Sequence, residues 1–340
     1  MSFLLWLGGV QISTEAAQNQ LNLFIWSEYI DPAVVADFEK QFDCKVKIDL
    51  YEDDAAMMAK LQGGGASVYD VVVPPDHRVA ALIRRGLLAP LPHARIPNLK
   101  NLDERFRNPP YDRGDRYTAA YQWGTLGMYV RPTKGRPLPA TWGLVFDPQL
   151  QPGAFVLIDS PRDLIGAALK FKGYSLNSTV ANELKEARDL ILASKKRCLS
   201  FDGSVGGKNK VLAKTAKAAI VYSGEAARGM SEDKETLYVI PKEGSQIWQD
   251  TLAILAKAPH PDLAAKFINF VLDPKVGARI SNFTQFATPN KAALEFINPG
   301  DLKNPAIYPP PQVISKLEFL EDVGDKVRLY DEIWTQIKSK

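Results

Sequence analysis

Three short segments, far apart in the chain, set an aromatic residue beside an acid: Trp26-Ser27-Glu28-Tyr29, Tyr222-Ser223-Gly224-Glu225 and Trp248-Gln249-Asp250. An aromatic face attracts a cation through its quadrupole, and a carboxylate accepts charge-assisted hydrogen bonds from an N–H⁺ group. Together they supply what an organic ammonium ion needs. Each segment follows an apolar, strand-like run or sits in a loop beside one, where α/β proteins place ligand contacts. Singly, each is equally a core ring and a helix-capping acid. The threefold recurrence is what points to a site.

The elements that must position these segments follow a β–α pattern. Residues 21–26 read as a strand, and Asp31-Pro32 supplies an N-cap and an N1 proline for a helix over 32–42. A strand over 46–50, a helix over 54–61, the Gly63-Gly64-Gly65 turn, an apolar strand over 69–74 and a helix over 76–85 come next. A second run opens with a strand over 154–158 and a helix over 161–171. It continues with a helix over 180–193 and strands over 218–222 and 237–240. After Trp248 a strand over 251–255 and a helix over 262–272 are expected, and the C-terminal third is mostly helical, ending in a helix over 325–338. Between the two runs, residues 91–117 are rich in Pro, Asn and Arg and read as irregular. Two open sheets with a cleft between them follow, and ligand sites favour such interfaces.

The chain has 340 residues, enough for about two domains, with 46% apolar and 24% charged residues. A net charge of +3 with scattered basic residues argues against nucleic acid. Cys44 and Cys198 have no metal-ligand spacing and read as small buried residues in different lobes rather than a disulfide. The histidines His77, His93 and His260 lack ligand spacing, and there is no GxSxG, P-loop or strand-linked GxGxxG. No catalytic residue, metal or cofactor is expected. Residues 1–20 hold a short apolar run, Phe3 to Val10, then small and polar residues, and read as an export signal without a basic start. No later stretch is apolar enough to cross a bilayer.

Beyond the single motifs, the chain resembles the bacterial periplasmic spermidine/putrescine-binding proteins. The likeness runs in order through Leu21–Ile30, Tyr51-Glu52 with Ala59-Lys60-Leu61, Tyr69–Pro74, Gln122–Thr125 and Leu169 with Gly173-Tyr174-Ser175. It continues through Tyr222–Gly224, Pro241–Gly244, Trp248–Asp250, Thr288–Asn290 and the C-terminal helix. It implies a two-lobed α/β fold of the type II periplasmic-binding-protein class, each lobe a mixed sheet flanked by helices. Lobe 1 would be residues 21–125 plus 249–294 and lobe 2 residues 126–248 plus 295–340. By the same likeness Trp26, Tyr29, Tyr222 and Trp248 match wall aromatics, with Phe286 where the family has Tyr. Glu28, Glu225 and Asp250 match acidic positions, Asp250 the central one, and Asp163 matches an acid that holds a terminal amine. Ser160 stands in place of an Asp, and Leu320 in place of a polar amide. Asp76 replaces a small hydroxyl residue and reads either as a helix N-cap or as an added site acid. The implied function is capture of a polyamine by lobe closure and delivery by a periplasmic monomer to an ABC permease. Another amine-bearing solute, or a sensory role at a membrane receptor, stays open.

Overall fold

The computed structural model describes residues 19–135 and 137–339; most of the segment read as an export signal lies outside them. The chain opens with β1 (Gln20–Trp26), α1 (Pro32–Phe42), β2 (Lys45–Tyr51), α2 (Asp54–Gln62), β3 (Val71–Val72) and α3 (Asp76–Arg84). Local chemistry sets these boundaries. The Asp31 side chain accepts from the Ala33 amide at the start of α1, and Asp53 accepts from the Ala56 amide at the start of α2. Residues 91–117 run as an irregular stretch with three short 3₁₀ turns, as their composition predicts.

Then comes a strand that the sequence pattern did not reveal, β4 (Thr118–Val130). Every residue in it is buried, so it has no alternation of apolar and polar positions, and Gly124 and Gly127 interrupt its strand propensity. It is followed by α4 (Gly143–Phe146), β5 (Phe155–Ile158), α5 (Pro161–Phe171), α6 (Ala181–Lys195), β6 (Ser200–Asp202), α7 (Ser204–Leu212), β7 (Ala218–Tyr222), α8 (Ser223–Glu232) and β8 (Leu237–Val239). The chain returns through β9 (Ile247–Ile254), α9 (Pro261–Val271) and α10 (Pro274–Thr284), and ends in the helix Val327–Ser339.

The strand order is β2-β1-β3-β9-β4-β7-β5-β6, with β8 pairing β4. The two expected sheets are therefore not separate: β4 belongs to both. Its first part, Thr118 to Thr125, runs antiparallel to β9, and Leu126 to Val130 runs antiparallel to β7. One apolar core forms around β1, α1, α9 and the first part of β4, the other around α4, α5, α6 and the second part. Cys44 lies in the first core, Cys198 packs on the second, and both are free thiols.

Asp70, just before β3, is fully buried and holds the first sheet together. It accepts from the Asn22 amide at 2.7 Å, from Asn22 Nδ2 at 3.2 Å, and from the His260 amide at 2.5 Å at the start of α9. Truncation strands these donors. Asp70→Ala is expected to cost about 2–4 kcal/mol in urea unfolding; a loss below 1 kcal/mol would rule out this role.

Candidate functional site

Where the two sheets meet, the three aromatic–acid segments come together. Trp26 is the last residue of β1, and its ring lies 4.5 Å from that of Tyr51 at the end of β2. Tyr29 follows in the next turn, and its backbone oxygen accepts from Tyr121 Oη at 2.9 Å and Gln122 Nε2 at 3.1 Å, both from β4. Trp248 and Asp250 do not precede a strand, as expected from the sequence, but lie inside β9, which begins four residues earlier than predicted. Asp250 sits opposite Gln122 of β4 and bridges to Pro75 on its other side.

A continuous row of edge-to-face rings crosses from one lobe to the other. Tyr222, at the end of β7, is 5.8 Å from Trp248; Trp248 is 5.1 Å from Phe286, and Phe286 is 5.4 Å from Tyr29. Two glycines permit this packing. A Cβ on Gly124 would stand 2.6 Å from the Trp248 ring, and one on Gly224 2.5 Å from the Phe286 ring.

The acids divide by partner. Asp163, in the first turn of α5, accepts from Tyr222 Oη at 2.6 Å. Glu225, in the first turn of α8, pairs with Arg228 at 3.0 Å and accepts from Ser204 Oγ at 3.3 Å. Glu28 is largely exposed, with φ at +52°, and meets Arg228 at 3.3 Å rather than entering the ring of aromatics. Ser160 occupies the N-cap position of α5 without a side-chain capping bond. Leu320 is buried in a small cavity behind Asp163, beside Trp142, Arg162 and Gln246. Asp76 is not the N-cap of α3: Pro75 holds that position, and Asp76 begins the helix. Its buried carboxylate accepts from the His77 amide at 2.7 Å and the Gln249 amide at 3.0 Å, which ties α3 to β9 beside Asp250.

Four further residues of the site went unread in the sequence. Tyr51 and Asp54 flank a β–α turn, His77 follows Asp76, and Arg228 lies one helical turn beyond Glu225. His77 Nε2 donates to Asp54 Oδ2 at 2.8 Å, and Arg78 binds the same oxygen. An acid directly after an N-cap, and a base three residues from an acid, were the available signals.

Electrostatics single out Asp250. Burial pushes its carboxyl up to about 8; the like charges of Asp76 and Asp54 add to this, while Tyr29 and His77 oppose it. Among the described residues no ion pair reaches it. The Tyr29 hydroxyl approaches Asp250 without forming a well-made hydrogen bond. Burial also raises Asp163 against the Tyr222 hydrogen bond, and raises Glu225 against Arg228. Tyr29, Tyr51, Tyr111 and Tyr222 stay well above the usual phenol range, by burial first and then by the surrounding carboxylates. The arrangement thus sets a buried carboxyl, without an ion pair among the described residues, beside aromatic rings, chemistry that suits a cation with an apolar body.

Comparison with known proteins identifies the family. Residues 33–310 match the family model described as bacterial extracellular solute-binding protein. The chain belongs to that family. Among its solute-binding relatives, a putrescine/cadaverine-binding protein of Pseudomonas aeruginosa is 34% identical over 95% of this chain and 94% of its own length. The spermidine/putrescine-binding periplasmic protein of Escherichia coli is 29% identical over 99% and 97%. A solved protein of Listeria monocytogenes, assigned to a spermidine/putrescine ABC transporter, superposes with a TM-score of 0.88 at 34% identity, covering 94% and 99% of the two chains. The spermidine/putrescine substrate-binding protein PotD of Streptococcus pneumoniae does so with 0.82 at 26% identity, covering 95% and 99%. The fold is that of the two-lobed solute-binding proteins.

Asp250 makes the ligand-free protein pH-sensitive. Its folded value of about 8 lies above the roughly 3.9 of an unfolded chain, so its contribution to stability is present at low pH and lost as pH rises through about 8. Asp250→Asn is neutral throughout. Its melting temperature should exceed that of the wild type by a margin that grows from pH 5 to pH 9, measured by scanning calorimetry. A margin that shrinks with pH would contradict the assignment.

Proposed function

We propose that this chain is an extracytoplasmic solute-binding protein that captures a polyamine of putrescine or spermidine type between its lobes and delivers it to a membrane ABC importer. The lobes of this reading are residues 21–125 plus 249–294 and 126–248 plus 295–340. The observation that carries it is the buried Asp250 carboxylate, without an ion pair among the described residues, beside Tyr29, Tyr51 and Tyr222, with Trp26 packed on Tyr51 and Trp248 on Tyr222. The names of the relatives support the same solute class.

An alkylammonium group is a compact, strongly hydrated charge, and stripping its water costs several kcal/mol per ion unless oxygens replace it. Asp250 and the Tyr29 hydroxyl offer such oxygens at one end, Asp163 at the other. Ring faces contribute roughly 0.5–2 kcal/mol each, and every methylene buried between them about 0.8 kcal/mol. Two ion pairs with an aromatic wall reach the roughly 8 kcal/mol of micromolar binding.

Lobe closure brings the two ends together. Arg228 of α8 reaches across to Glu28 and to the Thr284 carbonyl at 2.9 Å, and Arg84 of α3 meets Asp322 at 2.6 Å. These contacts hold the closed form, which would dock on the permease.

Calorimetry with putrescine, cadaverine, spermidine, spermine and a non-amine solute tests the reading, and only the amines should bind. Asp250→Asn should weaken binding at least about tenfold, or 1.4 kcal/mol. Trp26→Ala should weaken it while far-UV dichroism stays unchanged. Because Asp250 must ionise to meet an ammonium, binding at pH 7 should release protons, read as a dependence of the heat on buffer ionisation enthalpy. Unaltered affinity in Asp250→Asn would remove Asp250 from the site.

A further inference from the structure

The cleft holds more acids than a short amine has charges, and most of them already have a partner within the protein. His77 is the least expected of these partners. Its Nε2 lies 2.8 Å from Asp54 Oδ2 and its Nδ1 3.4 Å from Asp76 Oδ1. A neutral imidazole has one N–H and one lone pair. Either tautomer would turn that lone pair toward a carboxylate, whereas the imidazolium donates from Nε2 to Asp54 and sets its charged Nδ1–H edge beside Asp76. Burial pulls the ring down, but the hydrogen bonds and charges of Asp54 and Asp76 outweigh it and hold it at about 9.

We propose that the His77 imidazolium is a resident counter-ion that fixes the charge the cleft accepts at two, so that the site selects a diamine over a triamine. The inference rests on the polyamine reading above. Asp54 and Asp76 are matched by His77 and Arg78, with Arg78 Nε bound to Asp54. Glu225 is matched by Arg228, while Glu28 on the same guanidinium is largely solvated. Arg162 feels the Asp163 charge but makes no ion pair with it: its guanidinium lies 4.5 Å over the Tyr330 ring, donates to Asn177 Oδ1 at 3.0 Å and to the Glu321 carbonyl at 3.3 Å. Among the described residues this leaves Asp250 and Asp163 without an ion pair, one on each side of the aromatic row.

The groups facing His77 are Asp54 from α2, Asp76 and Arg78 from α3, Asp250 from β9 and Asp163 from α5. The hydroxyls of Tyr51, Tyr111 and Tyr222 lie near the same carboxylates and remain protonated. A third ammonium would enter with no carboxylate left to meet it, and an unpaired buried charge is strongly disfavoured. The acid and the cation beside it are adjacent residues in the first turn of α3, Asp76 and His77.

Calorimetry at pH 7 on wild type and His77→Gln, with putrescine, spermidine and spermine, tests the count. Wild type should bind putrescine at least tenfold more tightly than spermidine. His77→Gln uncovers one carboxylate and should move that ratio at least fivefold toward spermidine. Equal wild-type affinities, or an unchanged ratio in His77→Gln, would overturn the inference while leaving the polyamine reading intact; no heat with any amine would overturn both. A variant that fails to fold does not remove the test. Nitrogen-15 shifts of His77 in the wild type should show both ring nitrogens protonated at pH 7, and a neutral ring would refute the proposal.

Discussion

The structure is organised around a carboxylate placed where a carboxylate is costly. Asp250 lies within a central strand of the sheet, with rings on several sides and no protein cation in an ion pair with it among the described residues. A fold selected only for stability would carry Asn or an apolar residue there. Keeping an acid in that place makes sense as stored affinity: the free energy lost on burying it is recovered when a positive guest arrives. The neighbouring features serve that one arrangement. Asp76 anchors β9 by the amide preceding Asp250, β4 supplies the opposite register, and Gly124 and Gly224 let two rings approach closely enough to close the walls.

Charge inside the cleft is balanced locally. Asp54 is held well below the ordinary carboxylate range: burial works against this, and His77 and Arg78 overcome it. Glu225 has Arg228 one turn along its own helix. Acids with partners tie elements of the fold together, whereas Asp250 and Asp163 are left without an ion pair among the described residues. The number of acidic residues around such a cleft is therefore a poor guide to the charge of its ligand; the number left over after internal pairing is a better one.

Much of this was legible in the chain. The β–α rhythm, proline at helix starts and Asp caps put α1, α2 and α5 within a residue or so of where they lie. The aromatic–acid segments were visible because side-chain type alone carried the signal. Strand β4 was not, since a strand buried on both faces has no alternation to read, and its two glycines argue against it locally. The start of β9 was displaced for a related reason: Trp248, Gln249 and Asp250 look like a polar turn, yet all are buried by tertiary pairing with β4. His77 and Arg228 escaped because their meaning lies in who stands opposite, and Glu28 meets Arg228 two hundred residues away along the chain.

That β4 is shared has a mechanical consequence. A strand clamped by a ladder at each end behaves like a leaf spring, stiff against sliding along its length and soft to bending near its middle. The changeover falls between Thr125 and Leu126, and β9 begins alongside it at Ile247. Any relative motion of the halves has to flex β4 at this changeover.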